Sequence, residues 1–105
     1  SKKTPTEYGL YGFKTGSGDC YVMAATFYWM AKVAGYDAHY VKGYFQKSGG
    51  KKGAHAWVEI DQKVNGKKKT YVYDPNFQKE YKLNGYKLTY GAKRTLKYVN
   101  YKRVN

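Results

Sequence analysis

Residues 16–35 read GSGDCYVMAATFYWMAKVAG and carry the clearest structural signal in the chain. A glycine-rich lead-in gives way here to a long apolar run that ends at Gly35. Asp19 can accept hydrogen bonds from the free N–H groups of a helix start, and glycine is favoured just beyond a helix end. We therefore predict a loop over residues 1–18 and a helix over residues 20–34. The residues that recur at helical spacing, and that we expect to be buried, are Met23, Phe27, Met30 and Ala34.

The chain beyond the helix has the composition of several short strands. Residues 37–45 and 54–60 are rich in valine and aromatic residues, as strands are, and a glycine- and lysine-rich loop separates them. Asn65-Gly66 is a strong hairpin signal, so residues 70–77 are the returning strand. A short hairpin around Asn84-Gly85 and a final basic strand complete the chain. A helix packed on an antiparallel sheet, an α+β fold, is the architecture that we predict.

The Asn65-Gly66 turn also predicts which side chains share a face of the sheet. If the turn is centred there and the ladder is regular, Trp57 pairs with Asp74. Because alternate residues of a strand point to the same face, His55 and Asp74 become diagonal neighbours. Diagonal pairs lie close enough for a contact between a histidine and a carboxylate. Glu59 shares this face, and we expect it to be an exposed charge.

Cys20, the single cysteine of the chain, lies in the first turn of the predicted helix. The positive end of a helix dipole favours the thiolate, which is the nucleophilic form. A cysteine nucleophile needs a base, and the base needs an orienting group. Of the two histidines, only His55 has a predicted carboxylate neighbour, whereas we expect His39 to be structural or exposed. The spacing of the cysteine and histidines fits no compact zinc pattern, so we predict no metal site.

Three separated motifs bear a resemblance to a known family. The glycine-rich loop with Cys20 at a helix start is followed by HAWVEI at residues 55–60 and by YVYDPNF at residues 71–77. In this order, residues 16–77 resemble the transglutaminase-like superfamily of bacteria. The resemblance implies a papain-like core in a minimal form and acyl transfer through a thioester. It makes Cys20 the nucleophile, His55 the general base and acid, and Asp74 the orienting carboxylate.

The resemblance carries further expectations about the site and its substrates. It implies protein or peptide substrates and requires no cofactor. Water as the acceptor would make the domain a protease or amidase, and a lysine amine would make it a transglutaminase; the sequence leaves both open. The backbone N–H of Cys20 could be one oxyanion donor. Further candidates for the pocket or the oxyanion hole are Trp57, Tyr21, Ser17, Tyr11 and Tyr8.

The charge of the chain suggests a second class of function. Its 105 residues, enough for a single domain, carry a formal net charge of +13, which attracts polyanions. We divide them into a lead-in (1–18), a catalytic core (19–77) and a basic, tyrosine-rich segment (78–105). The last segment has eight basic residues and one acidic residue. Aromatic rings beside cations can bind sugars, so the alternative function is a weakly active or inactive module that binds an anionic cell-wall polymer.

The same features lead us to expect a monomer at the cell surface or outside a bacterial cell. This location rests on the family resemblance and on the excess of lysine. No run of apolar residues is long enough to span a membrane. No recognition helix or phosphate-binding loop is apparent, so we expect no specific nucleic-acid or nucleotide binding.

Overall fold

The computed structural model describes residues 20–47, 49–75, 85–92 and 96–105. Within these ranges one helix precedes a four-stranded antiparallel sheet with the strand order β3-β2-β1-β4. The predicted α+β fold is thereby confirmed. None of the described helices is both long enough and apolar enough to cross a membrane. The elements are α1 (Cys20–Val33), β1 (Asp37–Gln46), β2 (Lys52–Val64), β3 (Lys67–Tyr73) and β4 (Lys97–Arg103).

The hairpin of β2 and β3 has the register that the sequence predicts. Asn65 and Gly66 both adopt positive φ, 53° and 79°, as a two-residue hairpin turn requires. Pairing runs from Val64 opposite Lys67 to Val58 opposite Tyr73 without a bulge. This uninterrupted ladder brings the end of β3 beside the first half of β2. Strand β2 begins and ends a few residues beyond the predicted range 54–60, and β3 begins before residue 70.

One face of the sheet packs against α1. Tyr40, Val58 and Ile60 project from β1 and β2 into this core, and the edge of the Tyr28 ring meets the ring of Tyr40 with centroids 6.2 Å apart. Burial of these side chains supplies the main stabilisation of the helix, because an isolated helix of this length is marginal in water. The small side chains that allow α1 to approach the sheet are Ala24, Ala25 and Ala31.

The predicted buried stripe of the helix is wrong. The side chain of Met30 is 53% exposed and Ala34 is exposed, while Met23 and Phe27 are only partly buried. Apolar residues occupy nearly every position of α1, so their spacing does not select one face. Packing against the sheet instead selects the face that carries the small residues. The helical residues that are buried are Val22, Ala24, Ala25, Tyr28 and Ala31.

Segments near the C-terminus cover the opposite face of the sheet. Val41, Trp57 and Val72 form a second core there with Leu88. Leu88 exchanges two backbone hydrogen bonds with Val72, at 2.7 and 2.8 Å, and so lies along the outer edge of β3. Strand β2 is consequently buried on both faces from His55 to Asp61. The predicted hairpin at Asn84-Gly85 falls partly outside the described residues.

Strand β4 lies on the other side of the sheet, next to β1. The predicted final basic strand is therefore present, and it joins the same sheet as the predicted core. Its register shifts between Lys42 and Tyr44, at Gly43. The backbone of β4 passes very close to Gly43, since a Cβ atom at this position would lie 2.5 Å from the Cβ atom of Tyr101.

Candidate active site

Cys20 is the first residue of α1, and it is partly buried. The thiol therefore lies at the end of the helix where the dipole is positive. The following residue, Tyr21, packs against the core on the helix side of the sheet, and its carbonyl oxygen accepts a hydrogen bond of 3.4 Å from the Tyr40 hydroxyl. The Lys42 ammonium lies 5.7 Å from the centre of the Tyr21 ring. These contacts tie the first turn of α1 to β1.

His55 and Asp74 meet in the interior of the protein. The Nε2 atom of His55 lies 2.8 Å from Oδ2 of Asp74, which agrees with the contact predicted from the hairpin register. The two residues are 3% and 0% exposed, so water does not weaken this hydrogen bond. Asp74 directly follows β3, and its backbone N–H donates to the carbonyl oxygen of Gly85 at 2.7 Å. The hairpin and this bond together fix the carboxylate.

The thiol of Cys20 also interacts with His55. Burial alone would lower the pKa of His55, but hydrogen bonds to Asp74 and then to Cys20, with the charges of both groups, raise it from 6.5 to about 9. The bond to Asp74 occupies Nε2, which leaves Nδ1 as the ring nitrogen for the thiol. The two groups that raise the pKa of His55 are thus the two other predicted members of the triad.

Trp57 lies next to His55 but contributes no exposed surface. Its ring centre is 5.7 Å from that of His55, and the residue is 0% exposed. The indole N–H donates to the Tyr90 hydroxyl at 2.8 Å, and that hydroxyl donates to Glu59. Trp57 therefore packs against the His55 ring as part of the second core. A direct pocket role for Trp57 stays a prediction.

Tyr98 is a further residue at the site, and the sequence alone did not predict its position there. The hydroxyl of Tyr98 on β4 donates to Oδ2 of Asp74 at 2.6 Å. In the sequence, Tyr98 is one of several tyrosines in the basic C-terminal segment. No local pattern links it to Asp74, because β4 reaches the site through pairing with β1, far away in the sequence.

The expectation of an exposed Glu59 is wrong. Glu59 is 6% exposed and accepts a hydrogen bond of 2.6 Å from Nε of Arg103. The same guanidinium donates to Oδ1 of Asp61 at 2.7 Å, and Thr70 donates to that oxygen at 2.6 Å. Burying Glu59 requires a cation that lies 44 residues away in the sequence. The spacing along β2 could not reveal this partner.

The other residues proposed for the pocket are placed only in part. Tyr21 lies beside Cys20 on α1, and its proposed function remains a prediction. Ser17, Tyr11, Tyr8 and the predicted helix cap Asp19 lie outside the described residues.

One group of described residues has the atoms to ligate a cation. Asp37, His39 and Asp61 offer ligand atoms that all lie within 4.8 Å of one another. His39 is bound through Nδ1 to the carbonyl oxygen of Asn105 at 3.0 Å, and its Nε2 is 2.9 Å from Asp37. Arg103 and Lys68, however, lie 2.7 and 3.5 Å from the Asp61 carboxylate. Two cations already balance that carboxylate, so the cluster fits an ion-pair network better than a metal centre.

Comparison with known proteins identifies the family of the chain. The family model described as the transglutaminase-like superfamily matches residues 1–75, a range that includes Cys20, His55 and Asp74. Neither the curated proteins nor the solved structures contain a match to the chain. The family match spans more than half of the 105 residues. The chain therefore belongs to the transglutaminase-like superfamily.

Proposed function

We propose that this domain catalyses cysteine-dependent acyl transfer on peptide bonds or glutamine carboxamides. In this proposal Cys20 is the nucleophile, His55 the general acid and base, and Asp74 the group that orients His55. The observation that carries the proposal is the buried contact of 2.8 Å between His55 and Asp74, and Cys20 contributes with Asp74 to the raised pKa of His55. A nucleophile, a base and an orienter in series are the parts that such chemistry needs.

The first half of the reaction forms a thioester. The Cys20 thiolate attacks the carbonyl carbon of the substrate, and the C–S bond forms as the carbonyl oxygen becomes an oxyanion. The imidazolium of His55 then donates its proton to the leaving nitrogen, and the C–N bond breaks. Ammonia leaves from a glutamine carboxamide, and an amine leaves from a peptide bond. A buried Asp74 anion stabilises the imidazolium until the proton moves.

The second half releases the acyl group. Neutral His55 accepts a proton from water or from an amine as that nucleophile attacks the thioester carbon. The C–S bond breaks, and the thiolate and imidazolium are restored. Water as the acceptor gives a carboxylic acid, and a lysine amine gives an isopeptide bond. The same three residues serve both outcomes.

Trapping the acyl-enzyme tests the proposal. The protein is incubated with a short glutamine-containing peptide, quenched in acid and weighed intact. We expect an added acyl group on Cys20 in the wild type and none in Cys20→Ala. In His55→Ala the rate of acylation should fall by about 100-fold or more, since general acid–base catalysis contributes this much. His39→Ala, the other histidine, is the matched control and should acylate normally. Unchanged acyl transfer in Cys20→Ala would overturn the proposal.

A second measurement examines the thiolate without any substrate. Iodoacetamide reacts with thiolates far faster than with thiols. If His55 holds a proton beside Cys20, alkylation near about pH 6 should be at least tenfold slower in His55→Ala than in the wild type. Equal rates in the two proteins would mean that the thiolate does not depend on the histidine.

We also propose that the basic C-terminal segment binds an anionic cell-surface polymer, beside the catalytic function or in place of it. Eight basic residues and one acidic residue from position 78 onward support this idea, as does the exposure of Tyr86 and Tyr101. Tyr90 and Tyr98, in contrast, use their hydroxyls inside the protein. Fewer rings are therefore available for a polymer than the sequence suggests. The location at or outside the surface of a bacterial cell stays a prediction.

A further inference from the structure

A single oxygen of Asp74 accepts two buried hydrogen bonds. His55 Nε2 approaches Oδ2 to 2.8 Å, and the Tyr98 hydroxyl approaches the same atom to 2.6 Å. Burial, the charge of Asp74 and this hydrogen bond raise the pKa of Tyr98 above its ordinary value. The hydroxyl therefore keeps its proton and can only donate to the carboxylate.

The position of Tyr98 is fixed by the surrounding aromatic rings. Its ring centre lies 4.5 Å from that of Trp57, and the edge of the Tyr90 ring meets it at 5.7 Å. In the sheet, Tyr98 is paired with Phe45, whose ring meets the His55 ring edge to face at 5.5 Å. The rings that hold Tyr98 thus also enclose the histidine. A hydroxyl held in this way can determine the orientation of the carboxylate.

We infer that Tyr98 is a positioning residue for the catalytic triad, which it serves by orienting the carboxylate of Asp74 towards His55. This inference rests on the proposed acyl-transfer function and adds to it a residue from β4, outside the part of the chain that the family model matches. Tyr98 does not touch the reacting atoms. It acts on Asp74, which acts on His55.

Two consequences follow from sharing Oδ2. First, the second hydrogen bond limits rotation of the carboxylate, which keeps Asp74 in position to hold the His55 ring. Second, the hydroxyl disperses part of the negative charge on Oδ2. The hydrogen bond from protonated His55 to Asp74 is therefore weaker than it would be without Tyr98. General acid catalysis needs a proton that can leave. Loss of the hydroxyl should therefore raise the pKa of His55 and slow the transfer of its proton.

The test compares Tyr98→Phe with Tyr101→Phe in the full chain. Both tyrosines lie on β4 and contact the Trp57 ring, but it is the Tyr98 hydroxyl, and not that of Tyr101, that donates to Asp74. The titration of His55 is followed by NMR of its ring protons, and the acylation of Cys20 by mass at several pH values. The NMR titration requires no substrate, so it measures the effect of Tyr98 on His55 independently of catalytic activity.

In Tyr98→Phe, we expect the His55 midpoint to rise by roughly 0.5–1 pH unit. Acylation should slow by about tenfold, with its pH profile shifted upward in parallel, since a hydrogen bond to a charged group is lost. Tyr101→Phe should leave the His55 midpoint unchanged and the acylation rate within about twofold of the wild type. If Tyr98→Phe does not fold, a difluorotyrosine at position 98 makes a stronger donor and should move the midpoint downward instead.

The outcomes separate this inference from the proposed function. An unchanged His55 midpoint and pH profile in Tyr98→Phe, with active wild type, overturns the positioning role and leaves the acyl-transfer function standing. A purely structural loss would lower activity equally at all pH values, and that result also overturns the positioning role. Absence of any Cys20-dependent acylation in the wild type overturns the proposed function, and with it the part of Tyr98 in catalysis.

Discussion

Arg103 and Glu59 form an ion pair across the sheet, with Nε of the arginine 2.6 Å from Oε1 of the glutamate. Glu59 lies on the central strand and is almost fully buried, and Arg103 is the last residue of β4. The same guanidinium binds Asp61. One cation near the C-terminus thus neutralises two buried carboxylates of β2. This arrangement attaches β4, which carries Tyr98, to the middle of the fold.

Replacing Arg103 should therefore destabilise the protein. In Arg103→Leu, Glu59 and Asp61 lose their strongest hydrogen-bond donor while they stay buried. Breaking a fully buried pair costs about 3–5 kcal/mol, but the arginine side chain is 37% exposed, so water screens part of the loss and we expect about 1–3 kcal/mol. Urea unfolding measures this change. Lys102→Leu, at the exposed neighbouring position, is the control, and an equal loss in that variant would contradict the prediction.

Stability should also fall in acid because of Asp61. Burial alone would raise its pKa, but hydrogen bonds from Arg103 and Thr70 lower it from 3.8 to about 2. A lowered pKa means that this stabilisation is present above pH 3.8 and is lost as the pH falls through about 2. The loss should reach about 2 kcal/mol at most. Urea unfolding between these pH values measures the free energy of unfolding. Its decrease with falling pH should be smaller in Arg103→Leu than in the wild type. An equal decrease in both proteins would contradict the attribution to Asp61.

The stability of the folded protein should also fall at alkaline pH, because of His55. Its pKa is raised from 6.5 to about 9, so the charged ring stabilises the folded state fully below pH 6.5. This contribution is lost as the pH rises through about 9, with a total of about 3 kcal/mol at most. Unfolding measured at intervals over this range should show the decline. In Asp74→Asn the decline should be much smaller, and an identical decline there would rule out the buried pair as its source.

We expect Gly43 to be required for the close packing of β4 beside β1. A Cβ atom at this position would lie 2.5 Å from the Cβ atom of Tyr101 and 3.0 Å from the indole of Trp57. Backbone must move to relieve such a contact, so Gly43→Ala should cost about 1–3 kcal/mol and reduce acylation by displacing Tyr98.

Gly53→Ala is the control for this substitution. Its added Cβ atom would meet the outer end of the Phe45 ring at 2.7 Å. A ring at the end of a side chain can turn aside more easily than a backbone can shift, so we expect a smaller loss in thermal stability than for Gly43→Ala. A loss in Gly43→Ala that is no larger than the loss in Gly53→Ala would contradict the prediction.

Polymer binding should depend strongly on salt. The chain has 20 lysine and arginine residues against 7 acidic residues, and attraction between exposed charges is screened beyond a Debye length of about 8 Å at physiological ionic strength. Retention on a column carrying an anionic polymer should fall steeply between about 50 and 500 mM salt. The variant Lys87→Glu/Lys97→Glu should elute earlier, and Tyr98→Phe should elute with the wild type. Retention that salt does not change would contradict an electrostatic binding surface.

Local signals in the sequence were enough to place the candidate histidine and carboxylate. Asn65-Gly66 fixed a two-residue turn, and a regular ladder then determined which residues of β2 and β3 are neighbours. The contact between His55 and Asp74 follows from counting along this hairpin. Such counting works because the side-chain period of a strand is two and no bulge interrupts this pair.

Long-range pairing could not be read in the same way. Tyr98 and Arg103 reach Asp74 and Glu59 only because β4 pairs with β1, with a register shift at Gly43. Nothing near β4 in the sequence specifies that shift. The buried face of α1 was also hidden, since its apolar residues surround the helix and only the shape of the sheet favours the alanine side.

The position of β4 at the edge of the described sheet bears on how the protein avoids aggregation. An edge strand exposes unpaired backbone groups to which a second chain could add. Here the edge carries Lys97 and Lys102, and its register shift at Gly43 interrupts the regular ladder. Dense positive charge repels an identical strand, and an irregular ladder is a poor template for one. The strand that completes the candidate site is thus a poor template for the addition of a second chain.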